Sequence, residues 1–159
     1  MLTRLKYVGT CEDDLIELYC LLIRSLTEYC SVAFHSSLSI QLSNKIEAIQ
    51  KTCLRVILGV MYMDYQSALE MCGLESLHTR REIRSLQFAI KCTKHKISKA
   101  MFPLNPSADT HNMRGREKYK VNMAHTETYR MSTIPYLQRR LNDHETKLEE
   151  KRQRVLEGA

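Results

Sequence analysis

Tryptophan is absent from this 159-residue sequence, and glycine (5) and proline (3) are scarce. A β-sandwich or barrel needs turn residues roughly every 8–12 positions, so this scarcity excludes an all-β domain and points to helices. Long apolar runs are also missing. The most apolar stretch, Leu15–Leu26, is interrupted by Glu17 and Arg24 and followed by Glu28, well short of the ~20 residues a membrane-spanning helix requires. The N-terminal MLTRLKYVGT lacks the apolar core of a secretory signal, which predicts an intracellular protein, cytoplasmic or nuclear. Cysteine is not scarce: Cys11, Cys20, Cys30, Cys53, Cys72 and Cys92 form an even set. Several lie on apolar helical stripes, where cysteine acts as a small hydrophobe, so reduced thiols are expected rather than a disulfide framework. With 43% hydrophobic and 26% charged residues, the chain is neither disordered nor a membrane protein, and its length suits one domain or one domain with a tail.

The formal charge of +6 is unevenly placed. Residues 1–60 balance six basic against six acidic groups, and residues 61–79 hold Asp64, Glu70 and Glu75 with no Lys or Arg. Residues 80–140 hold fourteen Lys and Arg against four acids, a balance of +10, and the last nineteen residues come to −1. One sixty-residue stretch therefore carries the whole excess. Such clustering suits a polyanion, nucleic acid or an anionic membrane surface, or else a solvated basic face.

Periodicity predicts an all-α chain. Asp13 and Asp14 open a helix over Leu15–Cys30 whose polar strip (Glu17, Arg24, Glu28) is so narrow that the helix is expected to be mostly buried. Ser37–Ser39 offers caps for a second helix, Ile40–Leu58, with a seam of Leu42, Ile46, Ile49, Cys53 and Val56 and a C-cap at Gly59. The short link predicts an antiparallel hairpin of these two helices. Asp64 caps a short helix, Tyr65–Cys72, that ends at Gly73. Ser76 caps another that runs to about Ser98, burying Ile83, Leu86, Ile90 and Ile97. Residues 107–132 read as irregular, Pro135 as the first turn of a short helix to Leu141, and Glu145–Leu156 as a charged, frayed helix. Composition and charge thus divide the chain at 1–60 (apolar hairpin), 61–105 (further helices with a basic stripe) and 106–159 (basic, partly irregular tail).

No catalytic constellation emerges. Asp13-Asp14 stands where acids favour a helix start, and a metal site would need further convergent ligands. Cys92 and His95 have ligand chemistry at i and i+3, but no second pair repeats that spacing. There is no Gly-rich phosphate loop, GxSxG or HExxH. The sequence thus offers no catalytic, metal or cofactor site. What it does offer is basic and aromatic. Arg80, Arg84, Lys91 and Lys94 form a helical row beside Phe88; Arg114, Arg116, Lys118 and Lys120 cluster around Tyr119; Arg139 and Arg140 follow. Cations neutralise phosphates and aromatic rings stack on unpaired bases. With no recognition-helix motif, non-specific contact with the nucleic-acid backbone is the expectation.

One further pattern runs through the chain: LIRS (Leu22–Ser25), EYCSVAFHSSL (Glu28–Leu38), KIEAIQKTCLRVILG (Lys45–Gly59), ALEMCGLESL (Ala68–Leu77), Arg80-Arg81-Glu82, Met101–Pro103, YRMSTIPYL (Tyr129–Leu137) and RLN (Arg140–Asn142). In order and spacing this resembles the region after the palm in non-LTR (LINE-type, jockey-like) retrotransposon reverse transcriptases, over roughly residues 1–143. Phe34 stands where that family often has Trp. The resemblance implies a helical thumb and the region beyond it, holding an RNA/DNA duplex or hybrid as template–primer. The family's catalytic aspartates lie in fingers and palm that have no counterpart here, and Cys11–Asp14 is not their motif. The resemblance therefore implies a fragment of an RNA-directed DNA polymerase that is not itself catalytic, whose partners are nucleic acid and the missing palm. A helical interaction module that pairs with another helical chain, or a degenerate copy of the element, is the alternative.

Overall fold

The computed structural model describes residues 1–106 and 117–157. The fold is all-α: among the described residues there is no strand, only one isolated bridge between Leu104 and Tyr119. The chain divides into two compact units, Met1–Ser31 with Leu38–Ile83, and Val32–Ser37 with Arg84–Ala159. These boundaries fall elsewhere than those drawn from composition and charge.

In the first unit, α1 (Leu2–Tyr7) was not expected from the sequence. It buries Leu2, and Lys6 donates from Nζ to the carbonyl of Ile57. α2 (Glu12–Leu18) begins one turn earlier than expected. Cys11, not an aspartate, caps it, its Sγ accepting from the Asp14 amide at 3.5 Å, while Glu12, Asp13 and Asp14 occupy the first turn, where the positive end of the helix dipole favours acids. The helix continues as a π-helical stretch, Tyr19–Arg24, before α3 (Ser25–Thr27). Leu15 and Tyr19 are fully buried, but Leu21, Leu22, Leu26 and Tyr29 are exposed, so this segment is not the mostly buried helix that its apolar content implies. The π turn supplies the reason. Bonding i to i+5 takes up extra residues per turn, which displaces everything after Tyr19 from the face a 3.6-residue period assigns it.

After α4 (Ser31–Phe34), α5 spans Ile40–Leu58, as the sequence predicts, with Ser39 Oγ accepting from the Leu42 amide at 3.3 Å. Gly59 follows at φ +55°, a conformation costly for any side chain. The buried residues are Gln50, Cys53, Leu54, Ile57 and Leu58, whereas Leu42 and Ile49 of the expected seam are exposed. The cause is that the C-terminal half of α5 lies between two clusters. Cys53 and Ile57 pack with Leu2, Leu15 and Tyr19, while Leu54 and Leu58 pack with Ala68 and Leu69 of α6 (Tyr65–Met71). Leu15 and Tyr19, early in the first helix, thus meet Cys53 and Ile57, late in the second, as an antiparallel hairpin requires. Asp64 caps α6 as expected, accepting from the amides of Gln66 (2.9 Å) and Ser67 (3.1 Å).

Ser76 caps α7 (Leu77–Lys94), accepting from the Thr79 amide at 3.1 Å. Its buried stripe is Leu77, Arg81, Ser85, Ala89 and Cys92. Of the expected face, Leu86 and Ile90 are only partly buried, Ile83 is exposed, and Ile97, 77% exposed, lies beyond the helix. Helical spacing is present in both sets. Three of the five members of the set that packs, Ser85, Ala89 and Cys92, have small side chains.

In the second unit, Ala89, Cys92, Phe102, Tyr119, Leu137 and Leu141 form the core. Residues 118–122 are fixed by amide hydrogen bonds as well as by the apolar contacts of Tyr119. Pro103 accepts from the Lys120 amide and Lys118 from the Asn105 amide, both at 2.9 Å. Asn142 brackets Tyr119 with bonds of 2.8 and 2.9 Å, and Gln138 joins the Asn122 amide (2.9 Å) to the Met101 carbonyl (2.8 Å). α8 (Glu127–Arg130) is capped by Thr126. The expected short helix at Pro135 and the frayed terminal helix are instead one element, α9 (Thr133–Glu157), with Pro135 in its first turn. Of the stretch 107–132 expected to be irregular, residues 107–116 lie outside the described residues, and Glu127–Arg130 is helical instead.

Candidate nucleic-acid interface

The structure divides the basic residues named above into three groups. Arg80 leaves the row. Its Nε donates to Glu28 Oε1 at 2.6 Å, and Glu28 is buried. This bond raises the guanidinium's affinity for its proton above the usual arginine value, against some loss from burial. Arg80 is therefore committed to a partly buried ion pair within the first unit. Arg81, which the charge pattern would place on the surface, is fully buried there with Nη2 donating to Ser43 Oγ at 3.0 Å. Burial lowers its affinity for a proton, opposed by the charges of Glu47 and Glu28.

Lys118, Arg139 and Arg140 are tied into the second unit. Lys118 pairs with Glu145 at 3.1 Å, Arg139 donates to the Arg130 carbonyl at 2.5 Å, and Arg140 is half-buried. Tyr119, expected among the aromatics of this cluster, is a core residue and presents no ring to a partner. Arg114 and Arg116 lie outside the described residues.

The third group is exposed on the surface, where Lys118 also lies. Arg84, Lys91 and Lys94 are exposed on α7, and Lys120 is exposed beside the Leu104–Tyr119 bridge. Positions 84 and 91 are two turns apart on one face, with 94 close by and Phe88, half-exposed, one turn from each of the first two. Lys96 and Lys99, not singled out by helical spacing, are exposed just past the end of α7. Of these, Lys91, Lys94, Lys96, Lys99 and Lys120 have no carboxylate partner among the described residues. By sequence, the first unit carries a formal charge of −2 and the second +8.

The cysteine–histidine pair considered above is separated by environment. Cys92 is in the core, and His95 Nδ1 lies 3.4 Å from Ser98 Oγ. No helix among the described residues is long and apolar enough to cross a membrane.

The class that these observations define is an all-α protein with a cationic surface on one of its two units. No protein-family model, no curated protein and no solved structure matches the chain.

Proposed function

We propose that this chain is the thumb-like, nucleic-acid-holding part of a non-LTR retrotransposon reverse transcriptase, gripping the phosphate backbone of a template–primer duplex or hybrid without polymerase chemistry of its own. The observation that supports this most is the set of exposed lysines of the second unit that have no carboxylate partner among the described residues, two of which, Lys91 and Lys94, share α7 with Arg84. Such a surface gains by displacing counterions from phosphates, and it reads no base sequence. If four phosphates are neutralised, duplex affinity falls about a hundredfold between 50 and 200 mM salt. Titration of a labelled duplex at both concentrations tests this, and absent or salt-indifferent binding overturns it.

A second reading, a helical module that docks on the palm or on another helical chain, is favoured by the exposed Leu21, Leu22, Leu26 and Tyr29 around the π-helical stretch. Light scattering over a concentration series tests the self-associating form of this reading, because a monomer at all concentrations removes it.

A further inference from the structure

We infer that Phe88 is a stacking platform for an unpaired base, so that the cationic face of α7 holds single-stranded nucleic acid more tightly than backbone contact alone provides. The inference rests on the reading of that face as a nucleic-acid interface. Phe88 is 44% exposed, whereas Phe102, also of the second unit, is 2% exposed at the centre of its core. Phe88 is not a member of that core cluster. On the helix it borders the buried stripe of Ser85, Ala89 and Cys92 on one side and the exposed cations on the other.

The spacing suits a nucleotide. At 1.5 Å per residue, Arg84 lies about 6 Å before Phe88 along the axis and Lys91 about 4.5 Å after it. A base laid on the ring would thus have a cation on either side for its flanking phosphates. A blunt duplex offers the phosphates but keeps its base faces in the stack, so only an unpaired strand engages the ring and the cations together. Stacking on an aromatic ring tolerates any base, in keeping with a surface that lacks a recognition motif.

The chain has no tryptophan, so Phe88→Trp introduces a single fluorescent reporter at the proposed contact. Its emission is expected to be quenched by an oligothymidylate strand and not by a blunt duplex of equal length. Phe88→Ala is expected to weaken strand binding about tenfold or more and to leave duplex binding within twofold. Equal quenching by both probes, or an alanine variant that binds the strand as the parent does, overturns the inference while salt-dependent binding keeps the backbone reading intact. Equal loss for both probes overturns it too, since the ring would then serve the surface as a whole. Quenching by polyglutamate but not by the strand overturns it in favour of an acidic protein partner. Failure to bind either probe at low salt removes both readings.

Discussion

Arg80 and Glu28 show how a single residue can leave a surface for an interior. Arg80 is a quarter exposed, but the carboxylate it meets is buried. Arg80→Ala removes a charged hydrogen-bond partner of the buried Glu28 carboxylate. The expected cost is about 3 kcal/mol in a denaturant titration, with little change in nucleic-acid affinity once the variant is folded. Lys91→Ala should do the opposite, leaving the denaturation midpoint within about 0.5 kcal/mol and lowering the salt slope of duplex binding by about 0.9. Both are cations of one apparent row, so charge pattern alone could not separate them; the difference lies in Glu28, fifty-two positions away. Tyr65 gives a pH test. Its hydroxyl donates to Glu47 Oε1 at 2.6 Å, and burial first, then Glu47, raises it far above the ordinary value of 10.0. The folded chain thus keeps a proton that the unfolded chain releases, so stability declines as pH rises above about 10. Tyr65→Phe should cost about 1 kcal/mol at neutral pH, and the melting temperatures of variant and parent should converge at alkaline pH.

At the scale of the elements, the sequence shows its helix ends better than its helix faces. Ser39, Asp64 and Ser76 cap α5, α6 and α7, because a capping side chain bonds to amides two or three residues away. Which face is buried depends on packing against distant residues. The half of α5 beyond Gln50 faces two clusters, and the π-helical stretch shifts the register after Tyr19. Gln138 and Asn142 are polar yet buried, because they satisfy the backbone of 119–122. The continuity of α9 was hidden for a similar reason: its first half is read by burial and its second only by helix propensity. Two substitutions in α9 expose that asymmetry. Leu137→Ala, at a fully buried site, should cost about 3 kcal/mol, and Leu156→Ala, at an exposed one, less than about 0.5 kcal/mol, both from chemical denaturation. Gly59→Ala should cost about 1–2 kcal/mol, since the backbone is at φ +55° and a Cβ would stand 3.1 Å from Lys6 Nζ.

For the molecule as a whole, both the charge and the thiols are partitioned. The excess positive charge belongs to the unit that contains residues 84–159, which is why net charge alone could suggest a polyanion but not show where it would bind. The free thiols divide into exposed Cys11 and Cys30, half-buried Cys20 and Cys72, and buried Cys53 and Cys92. A colorimetric thiol reagent should therefore modify two groups rapidly in the native chain, and Cys53 and Cys92 only on unfolding. The buried stripe of α7 draws its five members from both units, Leu77 and Arg81 from the first and Ser85, Ala89 and Cys92 from the second. Three of them have small side chains. A larger residue at Ser85 or Ala89 would have to find volume in a packed interior, at a cost of about 1–3 kcal/mol however apolar it is. Exchange of Ile83 for another apolar residue, on the outer side of α7, should by contrast be tolerated, so that the helix is held more tightly by the volume of its inner positions than by the identity of that outer one.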